Sequence, residues 1–276
     1  MVEKGYTMNT LVEQALSFNS GLQWDVQNDA VRQVYLTHMT PDCTMVVHRA
    51  YADANRIIIL FTITGLSGGP DVNLQAIYRT TLDHAPTVQT IDLPEIGGFR
   101  TAEGVDGQAH VVIFDAAGVN NAPDQLTLRL TLSVGQITKQ FEFTIPFIRG
   151  HMIDTRQVVK PILVYARHGS PYETTLMLER VVITPTETRV YLSGIRPMDV
   201  KLALDIAGKR THFEVAREMA PGLVMCSFLT PFPLDNTDKW VLTIYTQWAS
   251  VESVWRAVGE TAIFHITVPK DISTRR

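Results

Sequence analysis

One sequence phrase occurs twice in this chain of 276 residues, and the repetition constrains the fold more than any other feature. The copies occupy residues 44–66 and 175–195. In each copy a short apolar run leads into a polar turn, and an arginine, Arg56 or Arg189, begins a second apolar run. A glycine followed by an aliphatic residue ends that run, at Gly65 and Gly194. Two such copies predict two modules of similar fold.

The two halves of the chain also end alike, which sets the predicted boundaries. Residues 141–146 read Phe-Glu-Phe-Thr-Ile-Pro and residues 264–269 read Phe-His-Ile-Thr-Val-Pro. In both, alternating bulky residues reach a proline, which has no N–H to give to a sheet. Domains of about 100–150 residues are the most common size. We therefore predict an N-terminal helical segment at 1–22, a first β-sandwich at 23–149 and a second at 150–276.

The hydrophobic period predicts strands through most of the chain. Leucines at 126, 128, 130 and 132 alternate with polar residues, as on a strand with one buried face, and residues 141–147 and 202–206 repeat the pattern. Residues 57–63 are apolar at both parities, which indicates a central strand covered on both sides. Thr10 and Glu13 form a capping box that predicts a helix at 10–18. Residues 248–258 fit either a helix or an irregular loop.

These patterns predict an all-β fold with two tandem immunoglobulin-like antiparallel β-sandwiches and a short N-terminal helix. Turn residues separate strands at about ten-residue spacing, which favours sandwiches over parallel α/β units. A net charge of −4 with scattered lysines and arginines argues against a nucleic-acid partner. The longest apolar run, 57–61, is far shorter than the ~20 residues of a membrane helix. The N-terminus lacks a secretory signal pattern, so the chain is expected to be either cytosolic or a fragment.

The phrase at 44–66 resembles a bacterial family of unknown function that forms the extracytoplasmic part of membrane-anchored, anti-sigma-factor-like proteins. The resemblance lies in the strand ending at Arg49-Ala-Tyr51, the turn Asp53-Ala-Asn55, the following Arg56 and the strand to Gly65. It implies that the first module is the family's domain and the second its companion C-terminal sandwich. It also implies an extracytoplasmic location, a membrane anchor in the native protein and no catalytic residues. The family's zinc-containing sigma-binding segment and membrane helix are not in this sequence, so we expect the exported portion alone.

Candidate metal and disulfide sites receive little support from the residue spacing. Cys43 and Cys226 fall in different modules, and two buried thiols are favoured over a bridge between them. Cys43 and His48 are expected on opposite faces of one strand, so they cannot share an ion. Asp53 and Asn55 have the first spacing of a calcium loop but lack its later glutamate and glycine. We interpret them as a hairpin turn whose side chains bond their own backbone, and predict no metal or cofactor.

Candidate catalytic and sugar-binding residues are also weak. Residues 65–69, Gly-Leu-Ser-Gly-Gly, match a nucleophile-elbow pattern formally, but a proline follows where the motif requires a helix. A carboxylate pair for glycoside hydrolysis could come from acids near the module junction. Tryptophans could form a sugar-stacking platform, although core positions are more common. The residues concerned are the acids Glu142, Asp154, Glu173 and Glu179 and the tryptophans Trp24, Trp240, Trp248 and Trp255.

The sequence therefore predicts a non-enzymatic, extracytoplasmic region that serves in sensing, spacing or protein interaction, with its protein or cell-envelope ligand unidentified. Two alternatives stay open. One is a module that binds carbohydrate or cell-wall material, and the other is a hydrolase with a site at the domain junction. No catalytic, cofactor-binding or metal-ligating residue is assigned.

Overall fold

The structure is a computed structural model, and it divides the chain into two compact units, Met1–Gly150 (unit 1) and His151–Arg276 (unit 2). It describes residues 31–66, 68–82, 85–104, 107–119, 124–154, 162–165, 173–194, 200–206, 209–212, 215–228, 240–246 and 261–266. Every regular element in this described part is a β-strand. The predicted helices at 10–18 and 248–258 lie outside the described residues.

The strands of unit 1 form two antiparallel sheets with an immunoglobulin-like order. One sheet has the order β1-β2-β3-β7-β6 and the other β5-β4-β8-β9. The chain changes sheet after β3, after β5 and after β7, which gives the Greek-key connections of that fold. The strands of unit 1 are β1 Arg32–Met39, β2 Thr44–Ala52, β3 Arg56–Thr64, β4 Asp71–Leu82, β5 Ala85–Leu93, β6 Glu95–Gly104, β7 Gly107–Asp115, β8 Gln125–Val134 and β9 Ile137–Pro146.

The core of unit 1 lies between its two sheets, where alternate side chains of facing strands meet. Strand β8 provides Leu126, Leu128, Leu130 and Leu132, all fully buried, so the period-two prediction for this segment is confirmed. Their counterparts on the facing sheet are alternate residues of β2, β3 and β7. These counterparts are Met45, Val47, Ala50, Ala52, Ile57, Ile59, Phe61, Ile63, Val112 and Phe114.

Strand β3 is buried on both faces, as the uninterrupted apolar run predicts. It is the middle strand of its sheet, between β2 and β7. Its second face carries Ile58 and Leu60, which pack with Tyr51, Val111 and Ile113 in a separate buried cluster. Ile148 packs against this cluster, and its N–H donates to the Ala52 carbonyl at 3.0 Å. The segment that follows β9 is therefore held against the β2–β3 hairpin.

The strands of unit 2 repeat the same order. One sheet runs β10-β12-β13-β17-β16, with β11 also pairing β12, and the other runs β15-β14-β18-β19. Strands β12 and β13 stand where β2 and β3 stand in unit 1, and β17 stands where β7 does. The strands are β10 His151–Asp154, β11 Ile162–Tyr165, β12 Glu173–Ile183, β13 Thr188–Ser193, β14 Val200–Ile206, β15 Lys209–His212, β16 Val215–Ala220, β17 Leu223–Phe228, β18 Trp240–Thr246 and β19 Thr261–Ile266.

Candidate functional site

The β2–β3 hairpin of unit 1 ends in a fully buried carboxylate. Oδ1 of Asp53 accepts the backbone N–H groups of Asn55 and Arg56, both at 2.8 Å, and Oδ2 accepts the Tyr51 hydroxyl at 2.8 Å. The turn closes with a bond from the Asp53 N–H to the Arg56 carbonyl at 2.9 Å. The interpretation of this segment as a hairpin turn whose side chains bond their own backbone is confirmed for Asp53. This carboxylate fixes the hairpin and anchors a tyrosine.

The β12–β13 hairpin of unit 2 closes in the same way with different side chains. The Thr184 N–H donates to the Glu187 carbonyl at 2.9 Å, as Asp53 does to Arg56. The Thr184 hydroxyl donates to the same carbonyl at 3.0 Å. The last paired residues are Ala52 with Ile57 in unit 1 and Ile183 with Thr188 in unit 2. Both hairpins thus enclose a loop of the same length.

Strand register shows which residues of the two copies are equivalent. Each hairpin has a bulge, between Val47 and Arg49 in β2 and between Leu178 and Arg180 in β12. The residue within each bulge bonds a hydroxyl on the next strand. His48 Nε2 lies 2.8 Å from Thr62 Oγ1, and the Ser193 hydroxyl donates to Glu179 Oε1 at 2.5 Å. The bulge and its cross-strand bond recur at the same distance from the turn.

The two arginines that suggest the repeat in the sequence are not equivalent in this register. When residues are counted from the last pair of each hairpin, Arg56 corresponds to Glu187, and Arg189 corresponds to Ile58. The second copy has more polar residues after its turn, so its arginine comes two positions later on the same strand face. The hairpins are copies, but their charges are arranged differently.

At the register of Arg189 and Ser227, unit 2 therefore carries charged and polar side chains where unit 1 has the aliphatic Ile58 and Ile113. Arg189 Nε lies 2.8 Å from Glu187 Oε1, and this oxygen also accepts the Ser227 hydroxyl at 2.5 Å. The Arg189 side chain is 0% exposed and that of Glu187 is 3% exposed. Arg189 pairs with Ser227 across β13 and β17, at the register that Ile58 and Ile113 occupy in unit 1. We call Glu187, Arg189 and Ser227 the ionic triad.

The ionic triad escaped the sequence interpretation, although a local signal for it exists. Glu187 and Arg189 are two residues apart, so on a strand they share a face and can pair. Ser227 lies far away in sequence and only strand pairing brings it close. Beside the triad, the Arg180 guanidinium lies 4.2 Å from the centroid of the Tyr191 ring, a cation–π contact between paired residues of β12 and β13.

The acids considered for hydrolysis bond to neighbouring strands wherever their side chains are described. Glu142 of β9 accepts from Arg129 of β8 at 3.0 Å on the surface, and Glu179 accepts from Ser193 within its own sheet. Asp154 ends β10 and Glu173 begins β12, but their side chains are outside the description. The serine of the formal nucleophile elbow, residue 67, also lies outside the described residues.

The remaining candidates from the sequence are the two cysteines, a metal site and the four tryptophans. Cys43 and Cys226 are both buried thiols, as predicted, and Cys43 packs in the core of unit 1. Among the described residues no group of three or more His, Cys, Asp or Glu is placed to hold a metal ion. Trp240 begins β18 without a described side chain, and the other three tryptophans lie outside the described residues. In the described part of the chain, no helix has the length and apolarity needed to cross a membrane.

Replacing Thr188 with valine should stabilise unit 2 by about 1–2 kcal/mol. Its hydroxyl is buried and has no hydrogen-bond partner among the residues that the structure describes, and an unsatisfied buried hydroxyl costs about 1–3 kcal/mol. Ile57, at the equivalent register of unit 1, shows that an aliphatic side chain fits there. Urea titration with labelling of Cys226, followed by peptide mapping, reports on unit 2, because burial raises the pKa of this thiol to about 12 and protects it in the folded state.

Thr184→Val is the matched control for Thr188→Val. This hydroxyl donates to the Glu187 carbonyl, so the same substitution should lower the stability of unit 2 by about 1 kcal/mol. Equal effects of the same sign for the two variants would show that the Thr188 hydroxyl is satisfied.

His48 should make the stability of unit 1 fall in mild acid. Burial, and secondly the charge of Arg49, lower the pKa of His48 below its ordinary value of 6.5. The unfolded chain then binds a proton at higher pH than the folded one. The contribution of His48 is therefore complete above about pH 6.5 and is lost as the pH falls through the lowered folded-state pKa.

The measurement for His48 is the urea midpoint of unit 1 as a function of pH, read by labelling of Cys43. In His48→Gln the loss of stability below about pH 6.5 should be smaller than in the parent chain. His38→Gln, on the edge strand β1, serves as the control for removing a histidine elsewhere. An unchanged profile in His48→Gln would contradict the prediction.

Comparison with known proteins finds a protein of similar fold and gives no information on activity. No family model matches the chain, and no curated protein matches it. The crystal structure of a conserved domain protein from Bacillus anthracis is similar over 94% of this chain and 93% of its own, with a TM-score of 0.53 and 12% identity. A tandem pair of titin immunoglobulin domains aligns over 84% of this chain and 99% of its own at 9% identity, but its TM-score is only 0.19 and it carries no weight. The Bacillus protein supports the fold alone.

Proposed function

We propose that this chain is a non-enzymatic, extracytoplasmic region of a bacterial surface or membrane-associated protein, built from two tandem immunoglobulin-like domains. It serves in sensing, spacing or protein interaction, with a link to anti-sigma signalling. The observation that carries the proposal is how the buried charged groups are used. The Asp53 carboxylate and the ionic triad each hold strands of their own sheet together.

The way these groups are bonded supports a structural role. A general base or nucleophile must reach a substrate atom in an accessible position. Asp53 and Glu187 are instead fully buried, and their described bonds run to backbone groups, a tyrosine, an arginine and a serine of the same sheet. Such networks fix one register of a hairpin. A pair of rigid sandwiches is well suited to present loops and strand edges to other molecules.

The bacterial and extracytoplasmic parts of the proposal are supported by likeness. The phrase at 44–66 resembles the extracytoplasmic anti-sigma-factor-like family, and a structural neighbour that aligns with 94% of this chain comes from a bacterium. A fold hosts many functions, so these likenesses guide the choice of experiment.

Location is the first test of the proposed function. The native protein, tagged at the end of this chain, should be digested when protease is added to intact protoplasts or spheroplasts, and a cytoplasmic marker should survive. Protection of the tag until the cells are lysed would overturn the extracytoplasmic assignment.

Cosedimentation of the purified chain with isolated peptidoglycan tests the alternative, a module that binds cell-wall material. We expect the chain to stay in solution, and saturable pelleting would favour a cell-wall-binding module.

Residues 151–276 expressed alone should fold, because tandem domains each have a core of their own. We expect a β-type circular-dichroism spectrum, a cooperative urea transition and slow labelling of Cys226. A spectrum typical of a disordered chain would contradict the division into two domains.

A further inference from the structure

The sheet β1-β2-β3-β7-β6 of unit 1 has an outer face, on the side away from the core between the two sheets, and this face is buried over β3 and β7. Strand register divides its buried side chains into three rows that cross the sheet. From the hairpin turn onward, the rows are Tyr51 with Ile58 and Ile113, then Leu60 with Val111, then Thr62 with Ala109. Apolar side chains on a sheet face stay away from water only when another layer lies over them.

The described neighbours of this face account for its first row. Among the described residues, the partly buried apolar side chains that pack against it are Val31, Ile96 and Ile148. All three lie towards the turn end of the sheet. Ile148 bonds to Ala52 at the end of β2, Ile96 lies in the bulge at the start of β6, and Val31 directly precedes β1. Burial of the second and third rows therefore requires a further layer.

The covering layer does not extend over β1. On the same face, Tyr35 in the bulge of β1, with a φ of 50°, is 60% exposed, and Met39 is 72% exposed. Leu60 and Val111 in the middle of the sheet are 2% and 1% exposed. Exposure falls from the edge of the sheet to its centre, so the layer lies over β3 and β7 and leaves β1 open.

The segment that precedes β1 has the residue pattern that such a layer needs. The sequence predicts a helix at 10–18, and at helical spacing its apolar and polar residues fall on opposite sides. The apolar side consists of Leu11, Val12, Ala15, Leu16 and Phe18, and the polar side of Glu13, Gln14 and Ser17. A helix that is apolar on one side buries that side against another element.

This segment also has the size and the reach to cover the face. A helix over residues 10–18 would be about 13.5 Å long, and the first and third rows are separated by about 13–14 Å along β3. Residues 19–30 can span up to about 40 Å, whereas β1 and β7 are three strand spacings apart, or about 14 Å. The segment joins the described chain at Val31, which itself packs against this face.

We propose that residues 10–18 dock as an amphipathic helix on the outer face of β3 and β7, which makes this face an internal binding surface for the N-terminal segment. The chemistry of the face favours this occupant. Ile58 and Ile113 are aliphatic at the register where unit 2 has Arg189 and Ser227, so an apolar helix side fits there without leaving a polar group unsatisfied. The inference concerns the fold of unit 1 and does not depend on the proposed function.

Thiol labelling of Val111→Cys tests the docking, because this position lies in the middle row of the face. The introduced thiol should react slowly in the full chain. Adding Leu11→Asp and Leu16→Asp on the apolar side of the predicted helix should raise its labelling rate about tenfold or more, because the helix no longer holds its place. Gln14→Asp, on the polar side, should leave the rate unchanged.

Two other thiols control the labelling experiment. Met39→Cys, on the open part of the same face, should react fast with or without the aspartates. Slow labelling of the buried Cys43 shows that the sandwich of unit 1 stays folded. Equal rates for the Val111→Cys thiol with and without the two aspartates would overturn the proposal.

Photocrosslinking tests the docked position in a chain that carries no added charge. A benzoylphenylalanine in place of Leu16 should crosslink to peptides that contain β3 or β7, and the same group in place of Gln14 should give few of these products. Crosslinks from the Leu16 variant that fall only outside β3 and β7, or equal yields from the two variants, would contradict the docking.

Discussion

Replacing Arg189 with methionine should lower the free energy of unfolding of unit 2 by about 3–5 kcal/mol. The substitution leaves the Glu187 carboxylate buried without the guanidinium that lies 2.8 Å from it. Breaking a buried ion pair costs more than the pair contributes, because the remaining charge stays desolvated. Urea titration with labelling of Cys226 measures the change in unit 2, and labelling of Cys43 should show that unit 1 is unaffected.

Two further variants show whether the loss of stability in Arg189→Met comes from an unpaired buried charge. Arg129→Met removes the same side chain from a pair with Glu142 on the surface of unit 1, where the two side chains are 34% and 54% exposed. An exposed pair contributes at most about 1 kcal/mol, so this change should be small. The double variant Glu187→Leu with Arg189→Met removes both charges and should recover most of the lost stability. If it is no more stable than Arg189→Met, the loss arises from packing and not from an unpaired charge.

Replacing Phe61 with alanine should cost unit 1 about 3–5 kcal/mol. Phe61 is fully buried in the core face of β3, and its ring stacks on His110 with centroids 5.1 Å apart. Removing a large core side chain loses its transfer free energy and leaves a cavity. Ile59→Ala on the same face should cost about 2–5 kcal/mol for the same reason.

The Phe61 prediction is checked by the urea midpoint of unit 1, read by labelling of Cys43. Val88→Ala is the matched control, because Val88 lies on edge strand β5 with 62% of its surface exposed, and we expect a change within about 0.5 kcal/mol. An unchanged midpoint in both Phe61→Ala and Ile59→Ala would be incompatible with β3 as the central strand.

Much of the strand content could be predicted because its cause is local. The alternation at Leu126–Leu132 and the apolar run from Ile57 to Ile63 follow from which side chains avoid water, and the strands lie where these patterns place them. The Asp53 turn is also local, since its carboxylate bonds the two backbone N–H groups that follow it. A single short window of sequence contains all the atoms involved.

The candidate sites were predicted less well because they depend on strand register. Sequence similarity aligns Arg56 with Arg189, but the paired strands align Arg56 with Glu187. A shift of two residues keeps a side chain on the same face, so the hydrophobic pattern alone does not reveal it. Ser227 joins the ionic triad only through pairing of β13 with β17, and the positive φ of Tyr35 has no sequence signature in a tyrosine.

By itself the sequence determined that this protein is built of β-strands, that one hairpin is repeated, and that β3 is buried on both faces. The avoidance of water by apolar side chains and the backbone preferences of turn residues produce patterns within a few residues, so the sequence alone reveals them. Strand pairing in the folded protein sets which residues of the two hairpins are equivalent, where the Glu187–Arg189 ion pair lies and which of the described strands stand at the sheet edges. Those features depend on pairing between strands that are distant in sequence. The stability of each pair depends on residues from both strands, so it cannot be judged from either strand alone.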